Sequence, residues 1–303
     1  MTIVEAFTFR RPAEDDLAKA AAVLAAEEQA VRGRVTYGAD ELRDWWRLYD
    51  LADGSWLVET REGEPVAFSG FLARGAEFSC WIAVDPRYNG RGLSTELIAR
   101  AEQRVRELGG ERLKAGMLAE NDRARQLLEA LSFREVRRFY RMQVNFDGRP
   151  APPKPVEGIR IATFRVADAH AYHAAMNEAF VDDWGFVPMP FDEWKRFRLE
   201  APDVDTSLWF LAWDDDEVAG VIRCEPKRFG GGFVGALGVR RPWRGRGIGT
   251  ALLQHAFAEF HRRGVPRVSL GVDAENPSGA TRLYERAGMR VVSEEVLFEK
   301  GVA

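Results

Sequence analysis

The stretch Val239-Arg240-Arg241-Pro242-Trp243-Arg244-Gly245-Arg246-Gly247-Ile248-Gly249-Thr250 decides how this chain is read. An apolar run from Phe233 leads into it, and the amphipathic pattern that begins Ala251-Leu252-Leu253 leaves it. That order predicts a strand, a tight glycine-rich turn and a helix N-terminus. The first N–H groups of a helix have no intrahelical partner, and the helix dipole puts partial positive charge at the same point. Glycines let the backbone approach a ligand closely, so the turn is suited to a phosphate or pyrophosphate. Four arginines in the run also fit a solvated basic patch or a nucleic-acid contact. The interleaved glycines favour phosphate, as does the formal net charge of −4 over 303 residues.

Arg244-x-x-Gly247-x-Gly249 resembles the acyl-coenzyme A pyrophosphate loop of the GCN5-related N-acetyltransferase (GNAT) family. Further on, Asn276-Pro277-Ser278-Gly279-Ala280-Thr281-Arg282-Leu283-Tyr284 and the closing Ala287-Gly288-Met289 resemble the family's second motif. The resemblance covers essentially the whole chain twice. The first half carries Asp85-Pro86-Arg87-Tyr88-Asn89-Gly90-Arg91-Gly92-Leu93-Ser94-Thr95, then Ala119-Glu120-Asn121 and Leu131-Ser132-Phe133. An internal repeat of this length means a duplicated domain. Between the halves, Asp147-Gly148-Arg149-Pro150-Ala151-Pro152-Pro153-Lys154-Pro155 reads as a stiff linker. The expected organisation is a degenerate domain over 1–146, a linker over 147–157 and a catalytic domain over 158–303.

Each half reads as α/β, a mixed sheet flanked by helices. In the second half strands are expected over Ile159–Phe164, Trp209–Trp213, Val218–Glu225, Phe233–Val239, Val268–Val272 and Met289–Phe298. Helices are expected over Ala167–Phe180, Phe191–Leu199, Gly247–Arg263 and Pro277–Ala287.

The resemblance implies acetyl transfer from acetyl-CoA to a primary amine of a small molecule. Cofactor contacts then fall on Leu237, Gly238 and Val239 of the strand, on Arg244, Gly245, Arg246, Gly247, Ile248, Gly249 and Thr250 of the loop, and on Asn276 and Tyr284. Gly235 and Gly238 weaken a strand, and close approach of a ligand is one reason to keep them. Tyr284 is the expected acid for the leaving thiolate, since a phenol near pKa 10 lies only about 2 kcal/mol above a thiol near 8.5. A structural role for Tyr284 in an amphipathic helix, and helix capping for Asn276, are the alternatives. Many relatives carry a Glu on the strand before the loop, but this strand has no carboxylate. Asp182, Asp183 and Glu225 are the candidate bases, with a water-relayed base also open. Asp183, Trp184 and Phe186 lie in an aromatic stretch that reads either as an acceptor wall or as a hydrophobic cluster under a loop.

The first half looks catalytically silent. Asn89 replaces the arginine, Ser94 the last glycine and Leu128 the tyrosine, and Trp81 stands where a slim residue would admit a cofactor. A non-catalytic acyl-CoA-binding protein is the competing reading. A dinucleotide-binding domain fits poorly, because the glycine loop comes late in its domain, after a run of antiparallel strands; Val272-Asp273 is the nearest match to the acidic residue that would hold a ribose.

The remaining features set limits. Cys80 and Cys224 read as buried thiols of a reducing cytoplasm. His170, His173, His255 and His261 lack partners at metal-ligand spacing, so no metal is expected. Met1-Thr2-Ile3-Val4-Glu5 shows no basic region before an apolar core, and no run approaches a membrane span. Expected partners are a small-molecule amine, with no nucleic acid or membrane, in a monomer or homodimer.

Overall fold

The structure, a computed structural model, describes residues 6–201, 204–276 and 278–302. The N-terminal segment read above and Pro277 lie outside the described residues. The chain divides into two units, Met1–Arg138 with Ser293–Ala303, and Phe139–Val292.

In the first unit the elements are β1 (Thr8–Arg10), α1 (Leu17–Arg32), α2 (Ala39–Trp46), β2 (Trp56–Glu59), β3 (Pro65–Arg74), β4 (Glu77–Val84), α3 (Leu93–Glu107), β5 (Arg112–Leu118) and α4 (Asp122–Ala130). The strands pair in chain order, antiparallel except for β4 with β5. Buried Ala20, Leu42, Trp46, Leu57 and Phe68 join α1 and α2 to one face. Ile98, Ala101 and Val105 of α3 pack with Phe71, Phe78 and Cys80 on the other.

The second unit repeats the plan. After β6 (Arg134–Asn145) come β7 (Ile159–Thr163), α5 (Ala169–Phe180), α6 (Phe191–Trp194), β8 (Trp209–Asp214), β9 (Glu217–Arg228), β10 (Gly231–Val239), α7 (Ile248–Arg262), β11 (Arg267–Asp273), α8 (Ala280–Arg286) and β12 (Arg290–Gly301). Strands β7 to β10 are antiparallel neighbours and β10 runs parallel to β11. Side chains alternate across the sheet. Ile222 and Cys224 of β9 join Leu252, Ala256 and Phe260 of α7, whereas Val221 joins Tyr172 of α5 and Trp194 of α6.

The units do not follow the expected boundaries. Residues of β12 from Glu295 to Gly301 pair antiparallel with β5 of the first unit. Phe139 to Asn145 of β6 pair antiparallel with β11 of the second. Burial explains the exchange: Val296 and Phe298 fill the first unit's core, and Met142 fills the second's. The proline-rich stretch counts with the second unit, where the Lys154 N–H donates to Gln254 Oε1 at 3.0 Å. Two helices also differ from expectation. Helix α8 starts at Ala280, because Asn276 Oδ1 accepts from the Ser278 N–H at 2.9 Å and Gly279 takes φ +74°. Helix α6 ends at Trp194 and continues as a single wider coil over Lys195–Leu199.

Candidate active site

Strand β10 is paired to β11 only as far as Val234↔Leu270, although both strands continue, to Val239 and Asp273. A gap therefore opens between them. The Arg240 N–H bonds the Ala219 carbonyl at 2.9 Å, on the β9 side. In an antiparallel pair successive N–H groups alternate in direction. The N–H groups of Leu237 and Val239 therefore point into the gap, and that of Gly238 points toward β9. Gly238 has another role: a Cβ there would lie 2.7 Å from Ala179 Cβ, and one at Gly235 would lie 2.5 Å from the Arg223 guanidinium. A packed neighbour thus accounts for Gly238, whereas the Arg223 guanidinium beside Gly235 is the movable end of a long side chain.

Beyond Val239 the turn folds as its glycines require. Gly245 and Gly247 take φ +82° and +86°, a region costly for residues with a Cβ, and no atom lies within 4 Å of a Cβ built on either. Gly247 caps α7 with no side-chain hydrogen bond, so the first-turn N–H groups of Ile248, Gly249 and Thr250 have no intrahelical partner.

The arginines of the run are engaged by acids, which answers the basic-patch reading. Arg240 pairs with Glu178 at 2.7 Å, Arg241 with Asp182, and Arg246 with Asp214 at 2.9 Å. Arg244 reaches the Val239 carbonyl at 3.1 Å, the Ala179 carbonyl at 2.9 Å and Asp182 at 3.3 Å. Arg240, Arg241 and Arg244 tie the end of α5 and the turn after it to the glycine loop, and Arg246 ties the loop to the end of β8. Asp182 is held below the usual carboxylate range by its bond from Arg241; it is a strut of this latch.

The latch fixes Asp183. Its N–H bonds the Phe180 carbonyl at 2.9 Å, and its own carbonyl accepts from the Phe186 N–H at 3.1 Å. Burial raises its acid, and Asp273 and Asp182 add to the effect, against Arg244 and a hydrogen bond from the Asn276 side chain. Tyr284 is 7 % exposed, its ring in the core cluster under α7. Burial, then the nearby Asp183 carboxylate, pushes its phenol well above the ordinary value. Asp183, Asn276 and Tyr284 are thus brought together. Phe186 packs on Phe180 with ring centroids 6.1 Å apart, whereas Trp184 lies against Phe139 at 6.4 Å and stays 37 % exposed.

Glu225 stands elsewhere. It is opposite Phe233, one residue before the last β10–β11 pair, on the sheet face that α5 and α6 cover. Burial opposes its charge, but Arg223 at 2.7 Å and Arg228 at 3.3 Å outweigh burial and hold the acid below its usual value. On the same face, a Cβ at Gly271 of β11 would meet nothing within 4 Å. Glu225 thus flanks the paired part of β10, and the phenol lies near a second carboxyl, Asp183. Among the described residues no group of three or more His, Cys, Asp or Glu converges as a metal site, and no helix is long and apolar enough to cross a membrane.

The model of the acetyltransferase (GNAT) family matches residues 22–133 and 170–289. The chain belongs to this family, carries its domain twice, and is an acetyltransferase. The family generally uses acetyl-CoA. The chain is similar to the mycothiol acetyltransferase of Thermobispora bispora, 28% identical over 297 residues covering 95% of this chain and 97% of that one. It is 30% identical to that of Acidothermus cellulolyticus over 240 residues, covering 74% and 71%. A solved GCN5-related N-acetyltransferase from Sphaerobacter thermophilus matches with TM-score 0.84 and 34% identity, covering 98% and 96%. A tandem GNAT protein from the clavulanic acid biosynthesis pathway shares the fold, with TM-score 0.72 and 17% identity over 98% of this chain.

Proposed function

We propose that the second unit moves the acetyl group of acetyl-CoA to an α-amino group of a small molecule, a cysteinyl amine of the mycothiol type, in the cytoplasm. The observation that carries the reading is the early end of the β10–β11 ladder beside an uncapped glycine turn. The pyrophosphate would lie on the N–H groups from Gly245 to Thr250. The thioester would lie in the gap, with its carbonyl oxygen toward the Leu237 or Val239 N–H. A preorganised backbone donor of this kind contributes roughly 2.7–4 kcal/mol in other enzymes.

The neutral amine attacks the thioester carbon, the C–S bond breaks, and the thiolate takes a proton from the Tyr284 phenol. The proton lost by the nitrogen passes to Glu225 or to solvent, and Asp183 pairs with the acceptor ammonium before reaction. Trp184 and Phe186 line the approach.

Acceptor chemistry follows from what β10 lacks. A side-chain amine of pKa near 10.4 is only about 0.1% neutral at pH 7.5, a deficit of about 4 kcal/mol that calls for a strong base. An α-amine of pKa near 7.8 is about one-third neutral, a deficit of about 0.6 kcal/mol. A site whose candidate base on the neighbouring strand, Glu225, is depressed by two arginines suits the α-amine. The names of the relatives agree with this choice. The buried free thiols Cys80 and Cys224 support a reducing compartment.

The test is release of CoA thiol on a panel of amines. Turnover with α-amino compounds, cysteinyl ones foremost, and weak turnover with lysine-type amines is expected. Preference for lysine-type amines overturns the acceptor assignment. Acetyl-CoA binding with no turnover on any amine overturns catalysis in favour of a binding protein.

A further inference from the structure

The two units can be compared position by position within one chain. Asp16 and Asp168 each accept from the N–H three residues back, at 2.8 and 3.1 Å. Val84 precedes its glycine turn as Val239 does, and Asn121 matches Asn276. Leu128 matches Tyr284: the Phe133 N–H bonds the Leu128 carbonyl at 2.9 Å, and the Met289 N–H bonds the Tyr284 carbonyl at 3.0 Å. In this register Glu27 of α1 corresponds to Ala179 of α5, Trp81 to Ala236, and Gly116 to Gly271.

The first unit has the same gap. The β4–β5 ladder ends at Trp81↔Gly116, although the strands run on to Val84 and Leu118. The Asp85 N–H bonds the Val66 carbonyl at 2.9 Å, so the Val84 N–H points into the gap, as Val239's does. Here, however, the gap has an occupant. The Glu27 carboxyl lies close enough to the Val84 backbone and the Asn121 side chain for both to favour its charged form. Asn121 Oδ1 accepts from the Ala124 N–H at 3.1 Å, which leaves its amide as the group that can donate to Glu27. Trp81 closes the floor: a Cβ on Gly116 would fall 2.5 Å from the Trp81 ring, whereas one on Gly271 meets open space.

We infer that Glu27, with Trp81 beside it, is an internal plug that takes the place of an acyl thioester in the first unit, so that the chain holds one acyl-CoA despite two glycine turns. The inference rests on the reading of the second unit's gap as the acyl site. A carboxylate oxygen on the Val84 N–H mimics the thioester carbonyl oxygen that this donor would otherwise receive. The second unit has only a methyl group at that position, at Ala179.

Calorimetric titration of the full chain with acetyl-CoA tests this. The wild type should bind one equivalent, and Gly247→Val, which blocks the second unit's turn, should bind none. The double variant Glu27→Ala with Trp81→Ala should bind two, and adding Gly247→Val to it should bring the count back to one. Glu27→Gln, which keeps the shape and one acceptor oxygen, should stay at one. A wild type that binds two equivalents overturns the plug without recourse to any variant. A folded Glu27→Ala, Trp81→Ala chain that still binds one overturns it while leaving the second unit's site intact. A wild type whose binding survives Gly247→Val instead overturns the underlying acyl-site reading.

Discussion

Tyr284→Phe is the sharpest perturbation of the proposed chemistry. The ring sits in the second unit's core, so Phe preserves the packing and removes only the hydroxyl. A free phenol already lies about 2 kcal/mol uphill of a thiol as a proton donor. Burial and the Asp183 carboxylate widen that gap. Full proton transfer is therefore late, and the phenol acts mainly as a hydrogen bond that tightens as charge builds on sulfur. General-acid assistance contributes about 10²–10⁴, and a reluctant acid belongs at the lower end. The expected loss is about a hundredfold in kcat, equivalent to about 2.7 kcal/mol. The assay is thiol release with kcat and KM resolved separately from pH 6 to 10. KM for acetyl-CoA should stay within about threefold and Tm within a few degrees. The raised phenol keeps its proton, so no alkaline limb from this group should appear in that range. A kcat within threefold of wild type would refute the role of the phenol, and with it the division of labour between the units.

Gly247→Val forces a Cβ into a left-handed backbone, costing roughly 1–2 kcal/mol, and fills open space over the turn. Turnover should fall below detection in steady-state kinetics, in line with the loss of acetyl-CoA binding. Arg244→Lys should not rescue Arg244→Ala, because one ammonium cannot serve the Val239 and Ala179 carbonyls and Asp182 together. Hydrogen exchange over 181–186 should rise in both variants. Glu225→Gln should lower turnover of an α-amine no more than about threefold at pH 7.5, which measurement on paired α- and ε-amine acceptors would check. Glu27 is raised by burial, against the Val84 backbone and the Asn121 side chain, from 4.5 to about 7. The protonated form is the one folding favours, so this stabilisation is present below pH 4.5 and lost as pH rises through 7. Urea melts should show Glu27→Gln gaining on wild type between pH 4.5 and 8, by about 3 kcal/mol at most. A pH-independent difference would show that the carboxyl is not desolvated.

What the amino-acid order determined by itself was local. A glycine between arginines after an apolar run specifies a positive φ and an uncapped helix start, because those depend on neighbouring residues alone. The duplication, the leucine at 128 in the tyrosine's place and the Asn276–Tyr284 spacing were legible for the same reason. The folded chain decided whatever depends on partners distant in sequence. Which parallel strand receives β12 was set by whether Val296 and Phe298 find a core beside β5, and alternation alone fits either choice. Likewise the acidic partners of the arginine run, Glu178, Asp182 and Asp214, come within ion-pair distance only in the folded chain. Gly238 read as ligand clearance until Ala179 and Phe180 were packed against it. Glu27 carried no signal at all, because a glutamate on an amphipathic helix looks like solvated surface. Only the docking of α1 across the β4–β5 gap turns its carboxyl toward a backbone donor that the sheet leaves unpaired.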